Sequence, residues 1–515
     1  FAPKPATFSS EAVQFVSEKD DALVNRLIQL GILEEVGATR VTLHQTLSDY
    51  VGIKSYSVAY WQRAVQFFSQ FLSANESAFG QIELEIDHIL KCLKFAEDSK
   101  HYFDFIRISN LSYHYFHVKG MYRFAKPFLE KSVGYANDLK SYEEGAVALV
   151  NLGRMFINEA DYPSAIEHLT EALRLSQFVE NDDLKSRINQ AIGVAYDYQG
   201  DFKTAISQYE KSLQFARKTN NLKRVCTLLM NLGGVHLDLT LYEDALTYLT
   251  EGLQIAKEIN HEGILSPMLL NLGSVAGSLG KYDDELDYYT EALQTARKMG
   301  HREDICFLLS NMGALSRTLG EFEVAENYLL EGLQIANEDN LFERKSSLFR
   351  HLATLEIYKG DYSKARRYAE DGIEIARDKN NQRNLCPLLN LLGEINLIEN
   401  QFELAAENID EAFEIADGIE HQWFIAEAKL RKSKLFFRTG HHKEALAKAN
   451  EALKLAKEKR IIEVEAEAYL LLGQIESDLG EKLSATASLE TAVSIFKSLN
   501  HWRQHHAEQV FQKTS

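Results

Sequence analysis

The chain repeats itself with a forty-residue period. Counting forward from Gly153 in steps of 40, each step lands on a small residue: Gly193, Gly233, Gly273, Gly313, Ala353, Gly393, Ser433 and Gly473. Twelve residues after each of these lies alanine in every copy but one, which has Glu285. Small residues at fixed spacing let two helices approach closely. The period therefore predicts stacked helical hairpins, not one globular core.

Helix boundaries follow from the same frame. In a typical unit we place the first helix at about 223–239 and the second at about 242–258. An aromatic residue opens the second helix in many copies, and glycine or asparagine follows the helix ends, where a left-handed cap suits them. Pro267 and Pro387 share one column, which we place in the first turn of the first helix, because a missing N–H is tolerated there.

This pattern resembles tetratricopeptide repeats (TPRs), with Leu-Gly in the first helix, three columns of small residues and an aromatic start to the second helix. The usual TPR unit has about 34 residues, and the longer unit here resembles the branch seen in Pins-type and Rap-type proteins. The resemblance implies an all-α, TPR-type α-α superhelix. We predict ten repeats over 103–502, connecting helices and a half repeat over 53–102, and a C-terminal capping helix over 503–515.

One repeat departs from the pattern at Glu285. A carboxylate in a tight helix seam is unfavourable unless it is paired or reaches water. We therefore expect this joint to be looser than its neighbours.

Composition excludes several kinds of partner. The formal net charge of −19 argues against nucleic acid and against anionic membranes, and no apolar run is long enough to form a transmembrane helix. Cys226, Cys306 and Cys386 follow one another at intervals of two repeat periods, so the repeat explains them as packing residues in a reducing, cytoplasmic setting. We find no catalytic motif and no metal-ligand spacing, and we expect no enzyme activity and no cofactor in this chain.

Candidate binding residues come from the first helices, which line the concave face of such an array. Asparagine there can bind a peptide backbone, and a group of basic residues can hold a carboxylate or phosphate. The alternatives are that the asparagines hold neighbouring helices together and that the charged residues are a solvated face. The candidates for a protein or peptide ligand are Asn151, Asn231, Asn271, Asn311, Arg317, Arg350 and His351.

The segment before the repeats has a different character. Residues 20–50 read as a helix, two short strands around Gly37, and a second helix opened by His44, which is a winged-helix pattern that we assign to 1–52. The run "LIQLGILEEVGATRVTLHQTLSDY" resembles the winged-helix domain of NB-ARC/STAND signal-transduction ATPases. The resemblance implies that His44 contacts the phosphates of ADP when the nucleotide-binding domain is present. The alternative is that His44 has a capping or packing role in an isolated winged helix.

No P-loop occurs in this sequence, so we expect ADP or ATP to bind only in a longer parent protein. The resemblance implies a ligand-sensing arm that controls activation and oligomerisation of that parent. The alternative is a free-standing adaptor or peptide receptor of the Pins or Rap type.

Overall fold

The computed structural model describes residues 7–18, 21–30, 32–36, 40–43, 58–75, 79–419, 421–499 and 501–514. They divide into two compact units, one ending at Val235 and the other beginning at His236. Helices dominate both units, and among the described residues no helix is long and apolar enough to cross a membrane.

The N-terminal part contains three strands and four helices among its described residues. Their bounds are β1 Phe8–Ser9, α1 Ser10–Ser17, α2 Asp21–Gln29, β2 Leu33–Glu35, β3 Arg40–Leu43, α3 Val58–Ala74 and α4 Phe79–Asp98. The strands form an antiparallel sheet in the order β1-β3-β2. Elements α2, β2 and β3 fall where the sequence predicts a helix and two strands. The second helix of the winged-helix pattern, with His44, lies outside the described residues, so that interpretation stays a prediction.

Ten helix pairs follow among the described residues, from Tyr102 to Ser498, and a single helix comes after them. The first helices are α5 Tyr102–Val118, α7 Tyr142–Asn158, α9 Asp182–Gln199, α11 Leu222–Asp238, α13 Glu262–Ser278, α15 Arg302–Thr318, α17 Phe342–Lys359, α19 Gln382–Ile398, α21 Gln422–Arg438 and α23 Ile462–Asp478. The second helices are α6 Tyr122–Leu139, α8 Tyr162–Leu175, α10 Phe202–Lys218, α12 Tyr242–Glu258, α14 Tyr282–Met299, α16 Phe322–Glu338, α18 Tyr362–Asp378, α20 Phe402–Gly418, α22 His442–Glu458 and α24 Lys482–Ser498. The last helix is α25 Arg503–Thr514.

The glycine column marks where the two helices of a repeat touch. A Cβ added at Gly193 would lie 2.6 Å from the Tyr209 ring, and one at Gly273 would lie 2.5 Å from the Tyr289 ring. Sixteen residues after each glycine, a large side chain of the second helix therefore fills the space that glycine leaves. This close packing is the physical basis of the forty-residue period.

Glu285 is accommodated by a second change in the same repeat. A Cβ at Gly277 would lie 2.5 Å from the Glu285 carboxylate, so the absence of a side chain there makes room for it. Glu285 also accepts a hydrogen bond from the Tyr289 hydroxyl. The looser joint expected from Glu285 stays a prediction, but the carboxylate has both space and a partner.

The two aligned prolines lie further inside their helices than we predicted. Pro267 and Pro387 are in the second turn, because α13 begins at Glu262 and α19 begins at Gln382. The first-turn placement was therefore wrong. Each proline removes one intrahelical hydrogen bond that a first-turn position would not have used.

The cysteine column has a hydrogen-bonding role. The Sγ atoms of Cys306 and Cys386 donate to the carbonyls of Gly332 and Ala412 at 3.4 and 3.2 Å, and Ser346 Oγ does the same to Gly372 at 3.1 Å. All four cysteines are buried and free. This position requires a small residue, since alanine also occupies it, and cysteine or serine there can add a hydrogen bond to the second helix.

Candidate partner-binding site

The first helices form the inner face of each unit. In both units the first helices of successive repeats contact one another, and they do so more extensively than the second helices do. When one set of helices packs side by side and the other spreads apart, the packed set lies on the concave side. Side chains that project from the first helices therefore converge.

In the second unit this convergence produces a buried ionic network. Arg431 lies at its centre, 7% exposed, with its guanidinium 3.0 Å from Glu394, 3.3 Å from Glu427 and 3.5 Å from Glu467. Lys434 and Arg503 also pair with Glu467. The members come from α19, α21, α23 and α25, so the network joins three first helices to the C-terminal helix.

The electrostatics of this network are those of matched charges. Burial alone would raise the pKa of Glu467, but Arg503, Lys434 and Arg431 hold it well below its usual value. Burial would lower the pKa of Arg431, and its surrounding carboxylates raise it instead. The charges of this group are matched internally, although Arg431 Nε and one oxygen of Glu427 are buried without a hydrogen-bond partner.

Arg317 and Arg350 stand beside the network without an ion pair among the described residues. Arg350 Nη2 donates to His351 Nε2 at 2.7 Å, a neutral acceptor that leaves the charge unmatched. Burial and the nearby charge of Arg317 lower the pKa of Arg350 to about 10. The Arg317 guanidinium stacks 5.2 Å from the centre of the Tyr358 ring, and its Nε is buried without a hydrogen-bond partner. We call Arg317, Arg350 and His351 the unpaired basic site.

His351 adds a donor to this site. It is 8% exposed, and burial together with Arg350 and Arg317 lowers its pKa well below 6.5, so the ring is neutral. Because Nε2 accepts from Arg350, the proton lies on Nδ1, which is buried without a partner. The sequence predicted that these three residues lie together, and the structure brings them together.

Two carboxylates face the basic site without neutralising it. Desolvation on the inner face raises the pKa of both Glu427 and Glu463, and Arg350 opposes the shift at Glu427 as Arg317 does at Glu463. Glu427 pairs with Arg431, while Glu463 has no ion pair among the described residues. An anion that binds beside Arg317 and Arg350 would therefore meet two cations that form no ion pair among the described residues.

The asparagine column has mixed roles. Asn151 is 2% exposed, and its Nδ2 lies 3.5 Å from the Asn110 carbonyl on the preceding first helix. Asn311 hydrogen-bonds the Tyr289 hydroxyl of the neighbouring second helix. Asn231 in the first unit and Asn271 in the second are partly exposed. The contacts of Asn151 and Asn311 match the helix-holding alternative, whereas Asn231 and Asn271 remain open to a ligand.

Sequence reasoning missed a second group of arginines, in the first unit. Arg154, Arg187 and Arg224 come from α7, α9 and α11, and burial followed by the charges of Arg187 and Arg224 lowers the pKa of Arg154 to about 10. Arg224 pairs with Asp183 at 3.3 Å. Arg154 and Arg187 stand on successive first helices at the same spacing as Arg317 and Arg350, so the same repeat frame could have found them. Among the described residues no cluster of histidine, cysteine and acidic side chains is placed to hold a metal ion.

Comparison with sequence families agrees with the architecture. Profiles described as tetratricopeptide repeats match residues 109–218, 224–298 and 466–498, and a profile for anaphase-promoting complex subunit 5 matches 344–400 and 394–463. No curated protein matches the sequence significantly. The fold and these profiles together define a TPR-type helical repeat protein.

Two solved structures have a similar fold. A STAND protein with a TPR sensor from Pyrococcus horikoshii is 15% identical, with a TM-score of 0.59, over 83% of this chain and 63% of that protein. The chain thus corresponds to less than two thirds of that relative. The quorum sensor NprR of B. thuringiensis is 16% identical, with a TM-score of 0.50, over 70% of this chain and 99% of NprR. At these identities the likeness establishes the fold.

Proposed function

We propose that the chain is the ligand-sensing arm of a STAND signal-transduction ATPase, and that the inner face of its second unit binds a protein or peptide. Two independent features support this. The repeat fold resembles a STAND protein with a TPR sensor over 83% of the chain, and residues 20–50 resemble the winged-helix segment of that class of ATPase.

The observation that carries the proposal is the unpaired basic site. Two arginines and a neutral histidine converge on the inner face, and neither arginine has an ion pair among the described residues. Guanidinium groups bind carboxylates and phosphates through paired, charge-assisted hydrogen bonds. A carboxylate of the ligand, either an acidic side chain or a C-terminus, would complete the site, and Asn271 would bind its backbone.

In this proposal the chain senses and another part of the parent protein reacts. The ligand must prefer the open state of the parent, since equal affinity for both states shifts no equilibrium. The bias then favours nucleotide exchange and oligomerisation of the parent, with ADP or ATP held elsewhere and His44 contacting its phosphates. The chain itself carries no reaction and has neither nucleic acid nor membrane as partner.

The test uses the parent gene and a deletion. We expect the parent gene to encode a P-loop upstream of residue 1. We also expect that removing residues 236–515 uncouples signalling from the ligand. Unchanged ligand-dependent signalling after that deletion would refute a sensing role for the second unit.

A free-standing peptide receptor is the second candidate. The likeness to NprR favours it, because the match spans 99% of that protein. The two proposals share the basic site and differ in what it controls. The absence of an upstream P-loop in the parent gene would favour the receptor.

A further inference from the structure

The second unit closes on itself at one place. In a repeat array each repeat normally contacts only the repeats next to it. Here the backbone N–H of Trp502, after the last repeat, donates to the carbonyl of Thr318 at 3.1 Å. Thr318 is the last residue of α15, more than four repeats earlier in the chain. We call Leu499 together with His501–Arg503 the C-terminal latch.

The latch packs against the turn that follows α15 and against α17. The Trp502 ring lies 4.8 Å from the Tyr358 ring and 5.7 Å from the Phe322 ring, measured between centroids. A Cβ added at Gly320 would lie 3.4 Å from Trp502 Cβ, and one at Gly280 would lie 3.4 Å from Leu499 Cδ2. These are ordinary contact distances, and the two turns need glycine for their positive φ angles of +85° and +71°.

Tyr358 connects the latch with the unpaired basic site. The guanidinium groups of Arg317 and Arg503 lie over its ring at 5.2 and 5.1 Å, and the Trp502 ring packs against it at a tilt of 57°. Arg503 also pairs with Glu467 of the ionic network. One aromatic ring thus contacts a residue of the binding site and two residues of the latch.

Two features oppose the closed position. The Trp502 indole N–H is buried without a hydrogen-bond partner, which is unfavourable. Arg317 and Arg503 share the Tyr358 ring with like charges. Two aromatic rings and one backbone hydrogen bond hold Trp502 in the cleft, while Arg503 stays paired with Glu467, so these two effects weaken closure at Trp502.

We infer that the C-terminal latch is a gate over the unpaired basic site, and that a ligand reaches Arg317 and Arg350 when Trp502 leaves the cleft between Phe322 and Tyr358. The biological role of this gate rests on the proposed function, since it assumes that the unpaired basic site binds a ligand. The gate itself can be tested without any ligand.

The test measures how fast phenylglyoxal, an arginine-selective dicarbonyl, modifies individual arginines, followed by peptide mapping. Trp502→Ala should raise the rate at Arg317 and Arg350 by about tenfold, as expected if the closing equilibrium weakens by ~1.4 kcal/mol. Trp502→Phe keeps an aromatic ring and should stay near the wild-type rate. Arg154 and Arg187 in the first unit are the internal control, and their rates should not change.

A reversible cross-link provides a control for misfolding, because the oxidised and reduced forms are compared in the same variant. The 3.4 Å between a Cβ at Gly320 and Trp502 Cβ lies close to the spacing of a disulfide, and the four native cysteines are buried. In the variant G320C/W502C, the reduced form lacks the Trp502 ring and should be modified as fast as Trp502→Ala, whereas oxidation holds the latch backbone against the turn after α15 and should slow modification of Arg317 and Arg350. The two single variants control for strain at Gly320, where φ is +85°.

Equal rates at Arg317 and Arg350 in the oxidised and reduced forms would overturn the gate. That result would leave the binding proposal standing, because no ligand enters the measurement. Conversely, if the modification rates show a gate but the chain captures no ligand, the proposed function fails and the gate stands.

Discussion

Replacing Glu285 by glutamine should stabilise the second unit at high pH and have little effect at low pH. Burial, opposed by the Tyr289 hydrogen bond and reinforced by the charge of Glu463, raises the pKa of Glu285 from 4.5 to about 7. A group whose pKa is raised on folding favours the folded state at low pH. This advantage is lost as the pH rises from about 4.5 to about 7.

The magnitude follows from the size of the shift. At about 1.36 kcal/mol for each unit by which the pKa changes, a rise from 4.5 to about 7 sets a ceiling of ~3.4 kcal/mol. Partial exposure of Glu285 reduces this to ~1–3 kcal/mol. Glutamine keeps the volume beside Gly277 and the contact with Tyr289 but cannot ionise. The gain from Glu285→Gln should therefore be small at pH 5 and approach its full size at pH 8.

Hydrogen–deuterium exchange of α13 and α14 is the suitable assay, because long repeat arrays open locally instead of in one step. In the wild type, protection of these helices should fall between pH 5 and pH 8 after correction for the intrinsic exchange rate. In Glu285→Gln it should stay level. Asp287→Asn, an exposed carboxylate on the same helix, is the matched control. A wild-type joint no less protected than its neighbours at pH 8, with no pH-dependent difference from the glutamine variant, would refute the reasoning.

Three further sets of substitutions test the packing and the charges. Gly193→Ala should lower the unfolding free energy by ~1–3 kcal/mol, since its Cβ would lie 2.6 Å from a tyrosine ring; Gly134→Ala, in a helix with open space around it, should be neutral or raise the free energy by up to ~1 kcal/mol. Thermal denaturation that ranks the two the other way contradicts the packing account. Arg350→Gln should leave the free energy of unfolding unchanged or raise it by up to ~1 kcal/mol, because the lowered pKa of Arg350 means that the folded state disfavours its charge. Arg431→Gln should lower stability by ~3–5 kcal/mol, because it leaves Glu394 and Glu427 buried without their shared cation; equal losses for the two arginine variants in urea unfolding would mean that Arg350 is structurally paired. Cys306→Ser should have a free energy of unfolding within ~0.5 kcal/mol of the wild type, since serine occupies this column in other repeats. Cys306→Val loses the hydrogen bond to Gly332, and its free energy of unfolding should be ~1 kcal/mol lower.

The repeat could be read from the sequence because its signal is direct. A close helix seam requires a small residue, and this requirement recurs once in every repeat. The strand β1 carries no such signal, since only Phe8 and Ser9 pair with β3 and two residues show no periodicity. Elements that are long or repeated could therefore be predicted, and a short isolated strand could not.

The binding site was only partly predictable. Arg317 and Arg350 stand on successive first helices, a little less than one period apart, so the repeat frame alone places them together. Glu463 and Arg503 join them only through the curvature of the second unit. That curvature sums small rotations between repeats, and no column of the sequence displays it. The asparagines show a related limit, because Asn151 and Asn271 share a column but differ in exposure and in partners.

The central claim is that Arg317 and Arg350 bind an anionic group of a peptide or protein ligand. The most direct measurement is selection of a random octapeptide library, with free and amidated C-termini, on the immobilised chain. The wild type and Arg154→Gln/Arg187→Gln should retain the same peptides, enriched in aspartate and glutamate or dependent on a free carboxylate. Arg317→Gln/Arg350→Gln should lose them. Retention of the same peptides by the Arg317→Gln/Arg350→Gln variant would contradict the account.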